Sequence, residues 1–316
     1  MRSQLVCELV KAHYESDEAF SQTVKRIVDE CKAGNSYNTA SQIEWCMKNG
    51  IEKMTRPHRL MNLSELTGGK DLIEQRSANV TVDEMILTDN IRFRIRRIVK
   101  EYEKRDLLEK NGLSNRRKIL LYGPPGTGKT MTAQALAKTL GLPLLIVKMD
   151  QVVKSLLGET AKSLSSVFNV IRNQQGVYLF DEFDSIAASR RIGDDVSEMK
   201  RVLCSLLKLL EDDNSQSIII AATNMKNLID TALFRRFDDV IEYENPKNES
   251  ALSLIKRILG DLYIEHENIG KVCNGMSYAD IAAACCEIRK KVILDDVRPS
   301  GRDIAYYLEL RKECRL

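Results

Sequence analysis

Residues 118–130 read KILLYGPPGTGKT. The run KILLY is short, apolar and bounded by a turn, which predicts a buried strand. GPPGTGKT at 123–130 follows it with the G-x-x-x-x-G-K-T spacing and opens a helix. Glycines there let the backbone curl so that its N–H groups face a phosphate, and the helix N-terminus adds positive potential. Lys129 is spaced to reach the β- and γ-phosphates, and the Thr130 hydroxyl to hold Mg²⁺. The binding loop is therefore assigned to Gly123, Pro124, Pro125, Gly126, Thr127, Gly128, Lys129, Thr130 and Met131.

Working outward, VYLFDEFD at 177–184 is an apolar strand that ends in paired carboxylates. Asp181 at the strand's end is placed to reach the metal through water. Glu182 faces the γ-phosphate, where a carboxylate orients and polarises an attacking water. SIIIAATN at 217–224 ends another strand with Asn224, whose amide can hold the same water. ALFRRFDDVIEY at 232–243 carries Arg235 and Arg236 just before a last strand. Arginine suits the charge on a transferring phosphoryl group, and the alternative is a surface pair balanced by Asp238 and Asp239. With LLIVK at 144–148, the runs make five strands separated by helix-length segments, which predicts a parallel sheet covered on both faces. After Pro246 only helical segments follow, near 247–260, 278–293 and 302–313.

These four elements, in this order and spacing, resemble the AAA+ ATPases, within them the AAA clade proper, over roughly residues 81–295. The resemblance implies a P-loop NTPase fold, a five-stranded parallel sheet with a C-terminal helical lid, and ATP with Mg²⁺ as cofactors. It implies that Lys129, Glu182 and Asn224 act in hydrolysis, that Thr130 and Asp181 serve the metal, and that Arg235 and Arg236 complete a neighbouring subunit's site. The active form would then be a homo-oligomeric ring, commonly a hexamer, that remodels a protein client. Some compact relatives work beside a separately encoded protease. GMSYADIAAAC at 275–285 resembles the start of the family's second-sensor helix, with Ser277 and Asp280 at capping-box spacing. KSLLGET at 154–160 departs from the family, with Leu156 where the first pore loop usually has an aromatic. Leu156 and Leu157 are either a weaker substrate grip or core residues at a helix end.

The remaining composition narrows the field. Of 316 residues 43% are apolar and 29% charged, with a net charge of +3, which singles out no polyanionic partner. No apolar run is long enough for a membrane span and no secretory signal is visible, so a cytoplasmic location is expected. The eight cysteines form no CxxC pair and none stands near His13, His58 or His266 at zinc spacing. They are expected to be buried free thiols. Eleven Lys or Arg against four acids fall between 91 and 118. Ile91, Ile95, Ile98 and Tyr102 share a helical face there, which favours an amphipathic helix with a solvated basic side over a nucleic-acid reader. Phe20, Val24, Ile27 and Cys31 form another apolar face after Ser16, a candidate N-cap. The expected plan is a helical partner-binding region at 1–52, a linker at 53–80, the ATPase domain at 81–245 and a helical lid at 246–316.

Overall fold

A computed structural model of the chain describes residues 17–33, 71–154, 160–184, 196–225 and 235–314. The chain divides into two compact units at residues 59 and 60. In the first, α1 spans Asp17–Ala33, with Val24 and Val28 buried at 7% and 4% exposure. Ile27, expected on that face, is only half-buried. Ser16 and the rest of the expected helical region at 1–52 lie outside the described residues.

In the second unit the strands are β1 (Ile73–Arg76), β2 (Lys118–Tyr122), β3 (Leu144–Val147), β4 (Val177–Phe180), β5 (Ile218–Thr223) and β6 (Asp239–Glu242). They form one sheet in the order β1-β3-β4-β5-β2-β6. The five expected strands are all present and mutually parallel. The sixth, β1, runs antiparallel at the edge, pairing Ile73 with Val147 and Arg76 with Leu144. It forms within the stretch expected to be a linker. Its sequence, IEQR, has one buried residue in four and gives no strand signal, so only pairing with β3 makes it a strand.

Alternation along the buried strands feeds two cores. Ile119, Leu121, Leu179 and Ile220 face one side, against Ile91, Ile95 and Ile98 of α2 (Asp89–Glu103) and Leu136 of α4 (Lys129–Leu140). Leu120, Tyr178, Phe180 and Ile219 face the other, against α6 (Thr160–Asn173) and α7 (Val196–Asp212). Period-two alternation with both faces covered is why these strands read as unbroken apolar runs. A short helix, α5 (Met149–Lys154), adds Met149 and Val152 to this second core, and another, α3 (Arg105–Lys110), follows α2 and buries no residue.

A third core gathers α8 (Asn248–Leu259), α9 (Ile269–Val272), α10 (Tyr278–Asp295) and α11 (Gly301–Glu313). The long helices match the three expected segments within two residues, and the starts of α10 and α11 are written in the sequence. Ser277 N–H donates to Asp280 Oδ2 at 3.0 Å, and Asp280 N–H donates to Ser277 Oγ at 3.3 Å. Ser300 and Asp303 repeat this box at 2.8 and 3.2 Å.

Three arginines of the basic stretch form a clamp. Arg94 and Arg116 both hold buried Asp239, and Arg117 holds Asp213, which is fully buried. Asp238 accepts the backbone N–H of Arg117 and Lys118, each at 2.9 Å. The acids after Arg236 therefore serve the 94–118 segment and do not balance the arginine pair. Among the described residues no helix is long and apolar enough to cross a membrane. Cys204, Cys273, Cys285, Cys286 and Cys314 are free thiols, of which Cys273 and Cys285 are buried as expected, while Cys204, Cys286 and Cys314 are exposed. Burial pushes the Cys285 thiol up to about 12 and Cys273 to about 11.

Candidate active site

Parallel strands deliver their following loops to one edge of the sheet. The loop after β2, the carboxylates after β4 and Asn224 after β5 therefore converge. They line a cleft of about 420 Å³ with Pro125 to Met131, Asp181, Glu182 and Asn224 on the sheet side.

The loop needs its glycines. Gly123, Gly126 and Gly128 have φ of +142°, +74° and +104°. A Cβ on Gly123 would stand 2.0 Å from the Tyr243 carbonyl oxygen, and one on Gly126 would stand 2.5 Å from Ser277 Oγ. The Gly126 carbonyl accepts from Ala279 N–H at 3.1 Å, so the N-terminus of α10 rests on the loop. Behind it, buried Thr132 and Tyr243 share a hydroxyl hydrogen bond of 2.6 Å.

Lys129 is 6% exposed. Its ammonium donates to the Gly123 and Pro124 carbonyls at 2.7 and 2.8 Å and to Asn224 Oδ1 at 2.9 Å. Burial lowers its pKa from the usual lysine value, against the opposing pull of Asp181 and Asp184. A buried cation held only by neutral oxygens, at the head of a helix behind curled glycines, fits a triphosphate. Thr130 Oγ1 donates to Asp181 Oδ2 at 2.7 Å, and these two hard oxygens are the ones that suit Mg²⁺.

Glu182 has φ of +50°, one of two non-glycine residues in the left-handed region among those described. The turn has a visible purpose. Phe183 N–H donates to the Ala222 carbonyl at 2.9 Å and its ring returns to the core, while Glu182 stays exposed on the cleft. Strain of this kind is kept where the surrounding contacts enforce it.

The opposite wall was legible in the sequence only in part, through the stretch at 275–285 that holds Tyr278 and Ala282. Met85, Ile86, Leu254, Arg257, Tyr278 and Ala282 complete the cleft from three separate segments. Arg257 donates to the Glu84 carbonyl, tying α8 to the segment before α2. Met85, Ile86, Leu254 and Arg257 were missed because no fixed spacing links them to a motif. The local signal beside Met85 is the Thr81–Glu84 capping box, where Thr81 N–H donates to Glu84 Oε2 at 2.6 Å.

Arg235 and Arg236 do not line the cleft. Arg236 pairs with Glu211 at the end of α7. Arg235 is exposed and has no ion pair among the described residues. Leu156 and Leu157 lie outside the described residues.

Comparison with known proteins agrees with this geometry. Residues 119–245 match the ATPase family associated with various cellular activities (AAA). The uncharacterized AAA family ATPase y4kL of Sinorhizobium fredii is 31% identical over 299 residues, covering 93% of this chain and 90% of the relative. The proteasome-activating nucleotidase of Methanopyrus kandleri is 33% identical over 70% of this chain and 53% of its own length. The chain thus spans about half the length of that nucleotidase. In fold it resembles the crystal structure of the FIGL-1 AAA domain, with a TM-score of 0.61 at 21% identity over 81% of this chain and 91% of that one. Matched almost end to end by one relative, and carrying the phosphate loop and acidic strand in the required places, the chain belongs to the AAA ATPases, enzymes that hydrolyse ATP with Mg²⁺.

Proposed function

We propose that the chain works as a ring, commonly of six subunits, and couples ATP hydrolysis to remodelling a protein client. Bound ATP supplies the γ-phosphoryl group and Mg²⁺ neutralises charge on it. Glu182 orients the attacking water and accepts its proton. When Lys129 turns towards a phosphate, Asn224 Oδ1 loses the donor it has now and becomes free to hold that water. Lys129 and the neighbouring subunit's arginines stabilise the developing charge. Residues 1–52 recruit the client, residues 53–70 connect them to the sheet, and residues 246–316 act as the lid. The relatives named proteasome-activating nucleotidases support a protein client and a separately encoded protease as partner.

The observation that carries this reading is Arg235, an exposed arginine outside its own chain's cleft and without an ion pair among the described residues, which leaves its guanidinium available to a neighbouring subunit's site. Glu182→Gln is the test. Turnover should fall by roughly 10²–10⁴, the range for losing a general base, with ATP binding and assembly retained. Phosphate release equal to wild type would remove the role given to Glu182. A nucleotide-gated scaffold predicts unchanged client processing in that variant.

A further inference from the structure

Away from the cleft, α2 and α3 border a groove of about 500 Å³ whose lining includes Phe93, Arg96, Arg97, Lys100, Lys104 and Leu107, with one acid, Glu101, that is engaged by Arg97 and Arg116. Phe93 at 65% exposure and Leu107 at 57% close its ends with apolar surface. Positions 93, 97, 100 and 104 follow the spacing that makes one stripe on a helix. Arg96 is held by Asp83 at 2.8 Å and Arg97 by Glu101 at 3.1 Å. The side-chain ammoniums of Lys100 and Lys104 have no ion pair or hydrogen bond among the described residues. The pattern is apolar, cationic, apolar.

The tip of α10 carries the reverse pattern. Ile293, Leu294 and Val297 are 77%, 82% and 57% exposed, and they bracket Asp295 and Asp296. Neither carboxylate has a partner among the described residues. Nearby Lys290 and Lys291 are engaged by Glu287 and Asp303, and exposed Arg298 follows two residues on. Both carboxylates also stand at the C-terminal end of an 18-residue helix, the pole at which negative charge is unfavourable. Exposed apolar residues around an uncompensated charge pair mark a contact surface, and cations are what it lacks.

We propose that these two surfaces are the halves of one interface, the tip Ile293 to Val297 of one copy seating in the Phe93 to Leu107 groove of the next. The inference rests on the ring reading and says which faces build the ring. The two surfaces differ, so the contact is head-to-tail, the type that closes into rings when the rotation permits. Val297 and the Ile293–Leu294 pair then cover the apolar ends, and Asp295 and Asp296 meet Lys100 and Lys104.

Charge exchange tests it on the full chain, by sedimentation velocity with a slowly hydrolysed ATP analogue and by ATP turnover. Lys100→Glu with Lys104→Glu should leave monomers, as should Asp295→Lys with Asp296→Lys. Turnover should drop at least about a hundredfold in each, since a trans arginine would be lost. Mixed in equal amounts, each variant offers the other a matched pair at both contacts, so assembly and most of the turnover should return. That rescue also excludes misfolding, and unaltered ATP binding by each variant alone checks it separately. Variants that assemble like wild type overturn the interface and leave the ring reading intact. A wild-type chain that stays monomeric with the analogue overturns both. Normal assembly with lost binding of a fluorescent single-stranded oligonucleotide assigns the groove to nucleic acid and overturns the proposal.

Discussion

Lys129 shows how one residue's environment sets a measurable property of the whole site. Its ammonium is buried among neutral oxygens, and burial lowers its pKa. A bound phosphate favours the charged form, so the liganded protein holds the proton more tightly than the free one. ATP affinity should therefore be greatest below the free-state pKa of Lys129 and fall as pH rises through it. Calorimetric titration of ATP from neutral to alkaline pH measures this slope, and Lys129→Gln should flatten it. An identical slope in that variant would assign the proton elsewhere. The identities of Lys129, Glu182 and Asn224 were legible from local strings. The Lys129–Asn224 hydrogen bond was not, because 95 residues separate the partners and only adjacent placement of β2 and β5 joins them.

At the scale of elements, the main joint lies at the end of the sheet opposite the cleft. Asp213 follows α7, is fully buried, pairs with Arg117 before β2 and accepts from Ser215 Oγ at 3.0 Å. Removing its charge would leave the Arg117 guanidinium unpaired in a largely dry site. Asp213→Asn should cost about 3–5 kcal/mol, the usual penalty for breaking a buried pair from one side. For a domain of this size each kcal/mol lowers the melting temperature by about 2–4 °C. Arg96→Ala, which breaks an exposed pair with Asp83, should change stability by no more than about 1 kcal/mol. Equal losses in the two variants, read by thermal melts, would contradict the buried role of Asp213. Element starts were well signalled wherever a cap was written in the sequence, as at Ser277 and Ser300. The edge strand β1 was missed because a mostly polar tetrapeptide becomes a strand only when a partner supplies its hydrogen bonds.

For the whole molecule, the arginine pair separates into unequal members. Arg236 is held by Glu211 of its own chain, whereas Arg235 is exposed and unpaired among the described residues. Under the ring reading, Arg235→Ala should lower turnover by roughly 10³ or more. Arg236→Ala should act more weakly and partly through lost stability. Arg235→Ala and Glu182→Gln subunits mixed together should recover activity that neither has alone, because some interfaces then combine an intact arginine with an intact carboxylate. Steady-state turnover across mixing ratios measures this. No recovery at any ratio would exclude action across an interface.

By itself the sequence marked the candidate nucleotide site: the glycine loop with its lysine and threonine, and the strand ending in two carboxylates, are each recognisable as a local string, whereas the Thr130–Asp181 contact that joins the two strings spans 51 residues. It also determined the five parallel strands, since burial on both faces demands unbroken apolar runs. Tertiary structure alone decided the rest. It placed the lid's Tyr278 and Leu254 opposite the loop, committed Asp238 and Asp239 to the basic segment, and distinguished Arg235 from Arg236. Those pairings join residues far apart in the chain, and their strength comes from burial and alignment that exist only once the sheet has formed.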